Sequence, residues 1–126
     1  MKLKILLITN AVIAALYGIA TLLFPAWLGS LYGFTATPEL IFVARLLGVY
    51  LLAAGILSWM VRDASATKAL TAVLYAFLVM DVLGLLISLI YVLNGTLNAQ
   101  GWLLVALYLL LGAGFAYFLF FTPKTD

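Results

Sequence analysis

The sequence contains no cysteine and no histidine, and few of its residues are charged. Without cysteine the chain cannot form a disulfide or supply a thiolate to a substrate or an iron–sulfur cluster. Without histidine it lacks the usual general base, haem ligand and zinc ligand. The net charge of +2 is small and dispersed, which argues against a nucleic-acid partner. These absences predict a protein that is not an enzyme, with no catalytic residues, no metal site and no cofactor.

Hydrophobic residues, in contrast, make up 68% of the 126 residues. A water-soluble domain of this size would have to expose much of that apolar surface and would aggregate. The apolar residues form four runs, each long enough to cross a bilayer as a helix. We therefore predict one domain, an all-α integral membrane four-helix bundle over residues 1–126. Its transmembrane helices are predicted at about 3–24, 39–61, 69–93 and 102–121.

The first run, with its lysine-containing start, could also be read as a signal peptide. It exceeds the apolar core of about 7–15 residues typical of such peptides, and no small-x-small cleavage site precedes Pro25. We predict a retained transmembrane helix. Ala11, Ala15 and Gly18 lie on one face of it, a spacing that favours close helix packing. In that setting we expect Asn10 to form an interhelical hydrogen bond rather than to bind a ligand.

The segment 25–34 between the first two runs is rich in aromatic residues. Pro25 suits the first turn of a helix and Gly33 suits its end. Trp27 and Tyr32 fall, with two leucines between them, on one side of that helix. We predict a short interfacial helix in the headgroup layer. The alternative is a lid over the region around Arg45.

Two charged residues, Arg45 and Asp81, lie at membrane depth. At a rise of about 1.5 Å per residue, Arg45 is roughly 9 Å below the outer end of the second span, and Asp81 is roughly 18 Å from either end of the third. Arginine cannot be neutralised, so it needs an acceptor or water. The short connection makes these two spans the default neighbours. Arg45 and Asp81 are therefore a candidate buried charge pair, with four candidate supporting polar groups: Asn10, Tyr17, Tyr50 and Ser88.

Three interpretations of this pair remain open. It can fix the register of the helices, it can line a site for a solute, a proton or a lipid, or it can dock onto another subunit. An arginine close to Asp81 would favour the ionised carboxylate and so oppose a role in carrying protons.

The basic residues predict the orientation of the chain. Lys2, Lys4, Arg62, Lys68 and Lys124 all fall on one side if the four spans alternate, and the other side has Glu39 but no lysine or arginine. By the positive-inside rule, both termini are predicted to be cytoplasmic, in the plasma membrane (inner membrane) of a bacterial cell.

Four short segments carry a resemblance to a known group. They are Phe24-Pro25 with Trp27-Leu28, then Leu31-Tyr32-Gly33-Phe34, then Ala44-Arg45-Leu46 with Gly48. The chain resembles small bacterial four-helix membrane proteins of uncharacterised function that are broadly DoxX-like. The resemblance implies a four-helix bundle with the arginine on the second span. Some DoxX-like proteins are accessory subunits of membrane redox enzymes, but no residue here matches a redox site, so the resemblance carries the fold alone.

The function expected from the sequence is that of a non-catalytic accessory or scaffolding subunit in a larger membrane assembly. The short loops leave the lipid-facing sides of the helices as the surface for partners. Those partners would be the bilayer itself together with other membrane subunits or further copies of the chain. The alternative is an oligomeric transporter of small solutes or a lipid-binding membrane protein.

Overall fold

The computed structural model describes residues 2–121, with the side chain of Lys2 left aside. This part of the chain is all-α, which confirms the predicted fold class. Four helices are long and apolar enough to cross a membrane, and a fifth is short. Each long helix begins and ends within one residue of its predicted bounds. The helices are α1 (Lys2–Leu23), α2 (Pro25–Leu31), α3 (Pro38–Met60), α4 (Lys68–Leu93) and α5 (Gly101–Phe120).

Local sequence signals explain where several of these helices begin and end. Thr37 caps α3 by accepting a hydrogen bond from the Leu40 amide at 3.1 Å, and Thr67 caps α4 in the same way. Beyond α2 and α4, Gly33 and Gly95 have φ angles of +90° and +88°, a left-handed conformation that favours glycine. α2 therefore ends at Leu31, three residues before the end of the segment predicted as an interfacial helix.

The long helices pack in two pairs, α1 with α3 and α4 with α5. α1 also packs on α5, which joins the pairs, and α2 lies against α1 and α3. Within residues 2–121, α3 and α4 have no close backbone contact, although only a short turn connects them. The expectation that these two spans are neighbours is therefore wrong. The physical reason is that α3 gives its glycine-containing face to α1.

The contact between α1 and α3 is backbone against backbone. A Cβ atom added to Gly48 would lie 2.7 Å from the Leu22 amide nitrogen, and one added to Gly18 would lie 2.7 Å from the Leu52 amide nitrogen. A Cβ at Gly55 would lie 3.0 Å from the Ala11 carbonyl oxygen. A Cβ does not fit at Gly18 or Gly48 without a backbone shift, and at Gly55 the contact would be tight. The close packing predicted from the small residues of α1 is confirmed, and its partner is α3.

The two ends of the bundle differ. At one end, which we call the basic end, Lys4 forms an ion pair of 2.9 Å with Asp63, and Arg62 and Lys68 lie nearby in the chain. The hydrogen bond from Lys4 lowers the pKa of Asp63 below its ordinary value. The opposite end carries α2, and we call it the α2 end. The position predicted for Lys124 lies outside the described residues.

The buried apolar core lies in the half of the bundle nearer the basic end. Phe77 of α4 and Phe115 of α5 are at its centre, with ring centroids 5.4 Å apart, and Phe115 is fully buried. These residues interlock three of the long helices around one apolar interior. The core cluster consists of Leu3, Leu7, Leu70, Leu74, Phe77, Leu111, Phe115 and Leu119.

Candidate functional site

Asp81 is the most unusual residue of the bundle interior. It lies near the middle of the 26-residue α4, is only 5% exposed, and is thus about as far from water as this helix allows. Its Oδ2 atom is buried and has no hydrogen-bond partner within the part of the chain that the structure describes. A buried polar atom without a partner costs free energy, on the order of 1–3 kcal/mol, and therefore calls for a functional explanation.

Two glycines allow α5 to approach Asp81 closely. A Cβ added to Gly112 would lie 3.1 Å from the Cβ of Asp81, so the backbone of α5 covers this side of the carboxyl group. About one turn further toward the α2 end, a Cβ at Gly84 would lie 2.6 Å from the ring of Tyr108. The two glycines therefore place Asp81 and Tyr108 in the same interface. Tyr108 lies within electrostatic range of Asp81.

Two further tyrosines, Tyr17 and Tyr32, lie toward the α2 end. The hydroxyl groups of Tyr17 and Tyr32 are 2.9 Å apart and form a hydrogen bond. Tyr108 interacts electrostatically with both Tyr17 and Tyr32. Burial, together with the hydrogen bond to Tyr17, raises the pKa of Tyr32 above its ordinary value. We call Tyr32, Tyr17 and Tyr108 the tyrosine file.

The structure does not bring Arg45 and Asp81 together. Arg45 is exposed on α3, whereas Asp81 is buried in the α4–α5 interface, and no ion pair joins them in residues 2–121. Arg45 lies at the edge of the glycine face of α3 rather than at its centre. α1 packs against Gly48 of the same helix, yet Arg45 remains exposed.

The four predicted supporting groups lie in different places. Asn10 donates a hydrogen bond of 3.2 Å to Ser58 of α3, which confirms its predicted interhelical role. Tyr17 belongs to the tyrosine file, while Tyr50 is 71% exposed on α3. Ser88 is buried on α4. Of the four, only Tyr17 interacts electrostatically with Tyr108, the tyrosine that also interacts with Asp81.

A shallow groove of about 260 Å³ opens at the α2 end. It lies between α1, α2 and the start of α5, and its surface is mainly apolar. Tyr17 and Tyr32 contribute the hydroxyl groups of its lining, while Trp27 and Leu103 form walls that are themselves exposed. The groove thus joins the surface of the bundle to the outermost members of the tyrosine file.

Sequence reasoning missed Tyr108, Tyr32 and Ser58 as members of these interior contacts. A tyrosine in an apolar span looks the same in sequence whether it faces lipid or another helix. The available signal was the spacing of Gly84 and Gly112, which mark where another helix or a ring can approach. Using that signal requires knowing that α4 pairs with α5, which the sequence does not state.

Together the four apolar helices define a multi-pass α-helical membrane protein. Comparisons with protein families, curated proteins and solved structures find no match for the chain. Residues 2–121 contain no group of three or more metal-ligating side chains (histidine, cysteine, aspartate or glutamate) that could hold a metal ion.

Proposed function

We propose that the chain is a non-catalytic subunit of a larger membrane assembly and that it binds a partner transmembrane helix through α3. The observation that carries this proposal is the exposed Arg45. It lies on the span with the smallest share of buried residues, 11% against 22–28% for the other three. A charged side chain costs about 2.5–3.5 kcal/mol at the centre of a membrane helix on insertion scales, and less toward its ends. A carboxylate from another chain would offset that cost.

The residues around Arg45 form a surface suited to a helix. Its members recur every three or four residues and are all exposed, so they make one continuous stripe along α3. Ala53, near its middle, leaves room for a close approach. The occupant we propose is a partner span with an aspartate or glutamate at the depth of Arg45, because a carboxylate accepts two parallel hydrogen bonds from a guanidinium. The docking stripe consists of Phe42, Arg45, Val49, Ala53 and Ile56.

A photo-crosslinking amino acid at Val49 tests this proposal in native membranes. We expect one discrete protein adduct whose crosslinked span contains a carboxylate. Arg45→Leu should reduce the adduct at least about tenfold, a loss of about 1.4 kcal/mol. Arg45→Asp combined with a lysine at the partner's carboxylate should restore it. The same crosslinker at Leu86, which is 51% exposed on α4, is the matched control.

Other crosslinking results would contradict the docking proposal. Adducts formed only with lipid would mean that Arg45 reaches upward to phosphate groups, as long basic side chains near helix ends do. Adducts only with a second copy of the chain would indicate a homo-oligomer. Equal protein adducts from Val49 and Leu86 would mean that the stripe has no specificity.

Lipid binding is a second candidate function, and the groove at the α2 end favours it. Leu16, Trp27 and Leu103 are 64%, 58% and 50% exposed, so its walls are open to the surrounding bilayer. The hydroxyl groups of Tyr17 and Tyr32 could bind the polar part of a lipid whose chain lies along these walls. A lipid adduct from a crosslinker at Leu103, without a protein adduct at Val49, would favour this function over the first.

We further propose that both termini lie in the cytoplasm of a bacterial cell, with the α2 end outside. The basic end carries Lys4, Arg62 and Lys68, which supports this orientation through the positive-inside rule. The absence of cysteine gives a clean background for labelling. A cysteine at Thr96 should react with an impermeant thiol reagent added to intact cells, and one at Ala66 should react only after permeabilisation. The reverse pattern would invert the orientation.

A further inference from the structure

We propose that Asp81 is a proton-binding site inside the membrane and that it exchanges its proton only with the side at the α2 end. This inference goes beyond the docking function and does not depend on it, since Asp81 and the docking stripe lie in different helix pairs. It rests on three observations: a buried carboxyl atom without a partner, a set of hydroxyl groups on one side of it, and an apolar core on the other.

The surroundings of Asp81 favour a proton over other partners. The titratable groups that face it are tyrosines: Tyr108 from α5, with Tyr17 of α1 and Tyr32 beyond. In residues 2–121, no lysine or arginine reaches it, and Arg45 is not among its neighbours. A single carboxyl group also offers too few oxygens for a hard metal ion, which takes about six. A proton removes the charge without any further ligand.

The tyrosine file provides a route for that proton. A phenolic hydroxyl both donates and accepts hydrogen bonds, so neighbouring hydroxyls can pass a proton directly or through a water molecule. Tyr32 and Tyr17 are already hydrogen-bonded, and Tyr108, whose ring packs at Gly84 about one turn from Asp81, interacts electrostatically with both Tyr17 and Asp81. Tyr17 and Tyr32 also line the groove that opens at the α2 end. The route therefore begins at the surface of the bundle.

The core cluster blocks the opposite direction. Phe77 is one turn from Asp81 along α4, and Phe115 is about one turn from Gly112 along α5; both lie toward the basic end. They are 3% and 0% exposed, and the apolar side chains of this layer offer no polar partner to a water molecule. Asn10 and Ser58 lie in the same half, but Ser58 already binds Asn10 and a backbone carbonyl of α1. They therefore do not continue the route.

A hydrophobic carbodiimide tests the site, because it adds to a protonated carboxyl group in an apolar setting and leaves a stable acylurea. In sealed proteoliposomes of known orientation, mass spectrometry should find the adduct on Asp81, and none at this position in Asp81→Asn. Labelling should fall at least about tenfold when the α2 side is made mildly alkaline, which corresponds to one pH unit of a single-site titration. Changing the pH at the basic end alone should leave labelling unchanged. The exposed Glu39 and Asp63 should react instead with a water-soluble carbodiimide.

Infrared difference spectra provide a second measurement if the reagent cannot reach Asp81. A protonated carboxyl band should appear on acidification of the wild type and be missing in Asp81→Asn. Tyr108→Phe should slow the appearance of that band after a pH jump on the α2 side, with thermal unfolding unchanged. A band insensitive to pH in the wild type, or labelling that follows the basic side, would overturn the proposal. Tyr108→Phe with wild-type kinetics would overturn the route.

Discussion

Replacing Gly48 with alanine is expected to destabilise the protein more than any other single methyl addition to its helices. The new Cβ would lie 2.7 Å from the Leu22 amide nitrogen and 2.8 Å from the Gly18 carbonyl oxygen, both of them backbone atoms of α1. Backbone atoms cannot rotate away, so the two helices would have to separate along their contact. Overpacking of this kind costs about 1–3 kcal/mol and occasionally more. Thermal unfolding in detergent measures the loss.

Gly114→Ala is the matched control for this prediction. Its added Cβ would lie 3.0 Å from Leu6, but the atom it meets is the end of a flexible side chain that can move. We expect a change within about 0.5 kcal/mol for this variant, as at most sites without a specific constraint. If Gly48→Ala and Gly114→Ala unfold at the same temperature, the backbone contact between α1 and α3 does not determine stability.

Removing the Ser58 hydroxyl should cause the second large loss of stability. Ser58 is fully buried, donates a hydrogen bond of 2.7 Å to the Leu7 carbonyl and accepts one of 3.2 Å from the Asn10 amide. Ser58→Ala therefore leaves a buried side-chain amide without its partner. We expect a loss of about 1–2 kcal/mol, at the upper end of interhelical hydrogen bonds in membrane proteins.

A double-mutant cycle of Ser58→Ala with Asn10→Ala isolates the bond between them. We expect a coupling between about 0.6 kcal/mol, the average for such pairs in membranes, and about 1.7 kcal/mol, the largest found. Ser30→Ala serves as the control, because Ser30 is exposed and binds a carbonyl of its own short helix. Additive losses at Asn10 and Ser58 would show that the two side chains act through different partners.

The spans themselves could be read from the sequence, because the length of an apolar run and the identity of a capping residue are local properties. In the sequence, Thr37 precedes α3 as a capping residue, while Ser65 and Thr67 are both candidates before α4; the structure uses Thr37 and Thr67. The pairing of the helices is not local. Hydrophobic residues occur on every side of α3, so its glycines are the main sign of a packing face, and nothing in α3 alone states that Gly48 meets Gly18. Assigning neighbours by short connections gave the wrong partner.

The candidate site shows the same limit. Counting residues placed Asp81 at the middle of its helix, and burial there followed from the cost of a charge in lipid. The identity of its neighbours depended on the pairing of α4 with α5, so Arg45 was assigned where Tyr108 lies. A charge pair is an attractive hypothesis whenever two opposite charges occur at membrane depth. In the structure, Asp81 is buried in the α4–α5 interface, whereas Arg45 is exposed on α3.

The pairing of α1 with α3 and of α4 with α5 also has a consequence for the order of synthesis. α1 and α3 can associate while the ribosome is still making the second half, since domains fold in the order in which they emerge. Asp81 then leaves the ribosome on α4 before Gly112 of α5, which covers it, has emerged. During that interval the carboxyl group has no cover from its own chain. The insertion of nascent α4 into the membrane therefore depends on its own apolar residues, and α5 is the last helix to pack into the bundle.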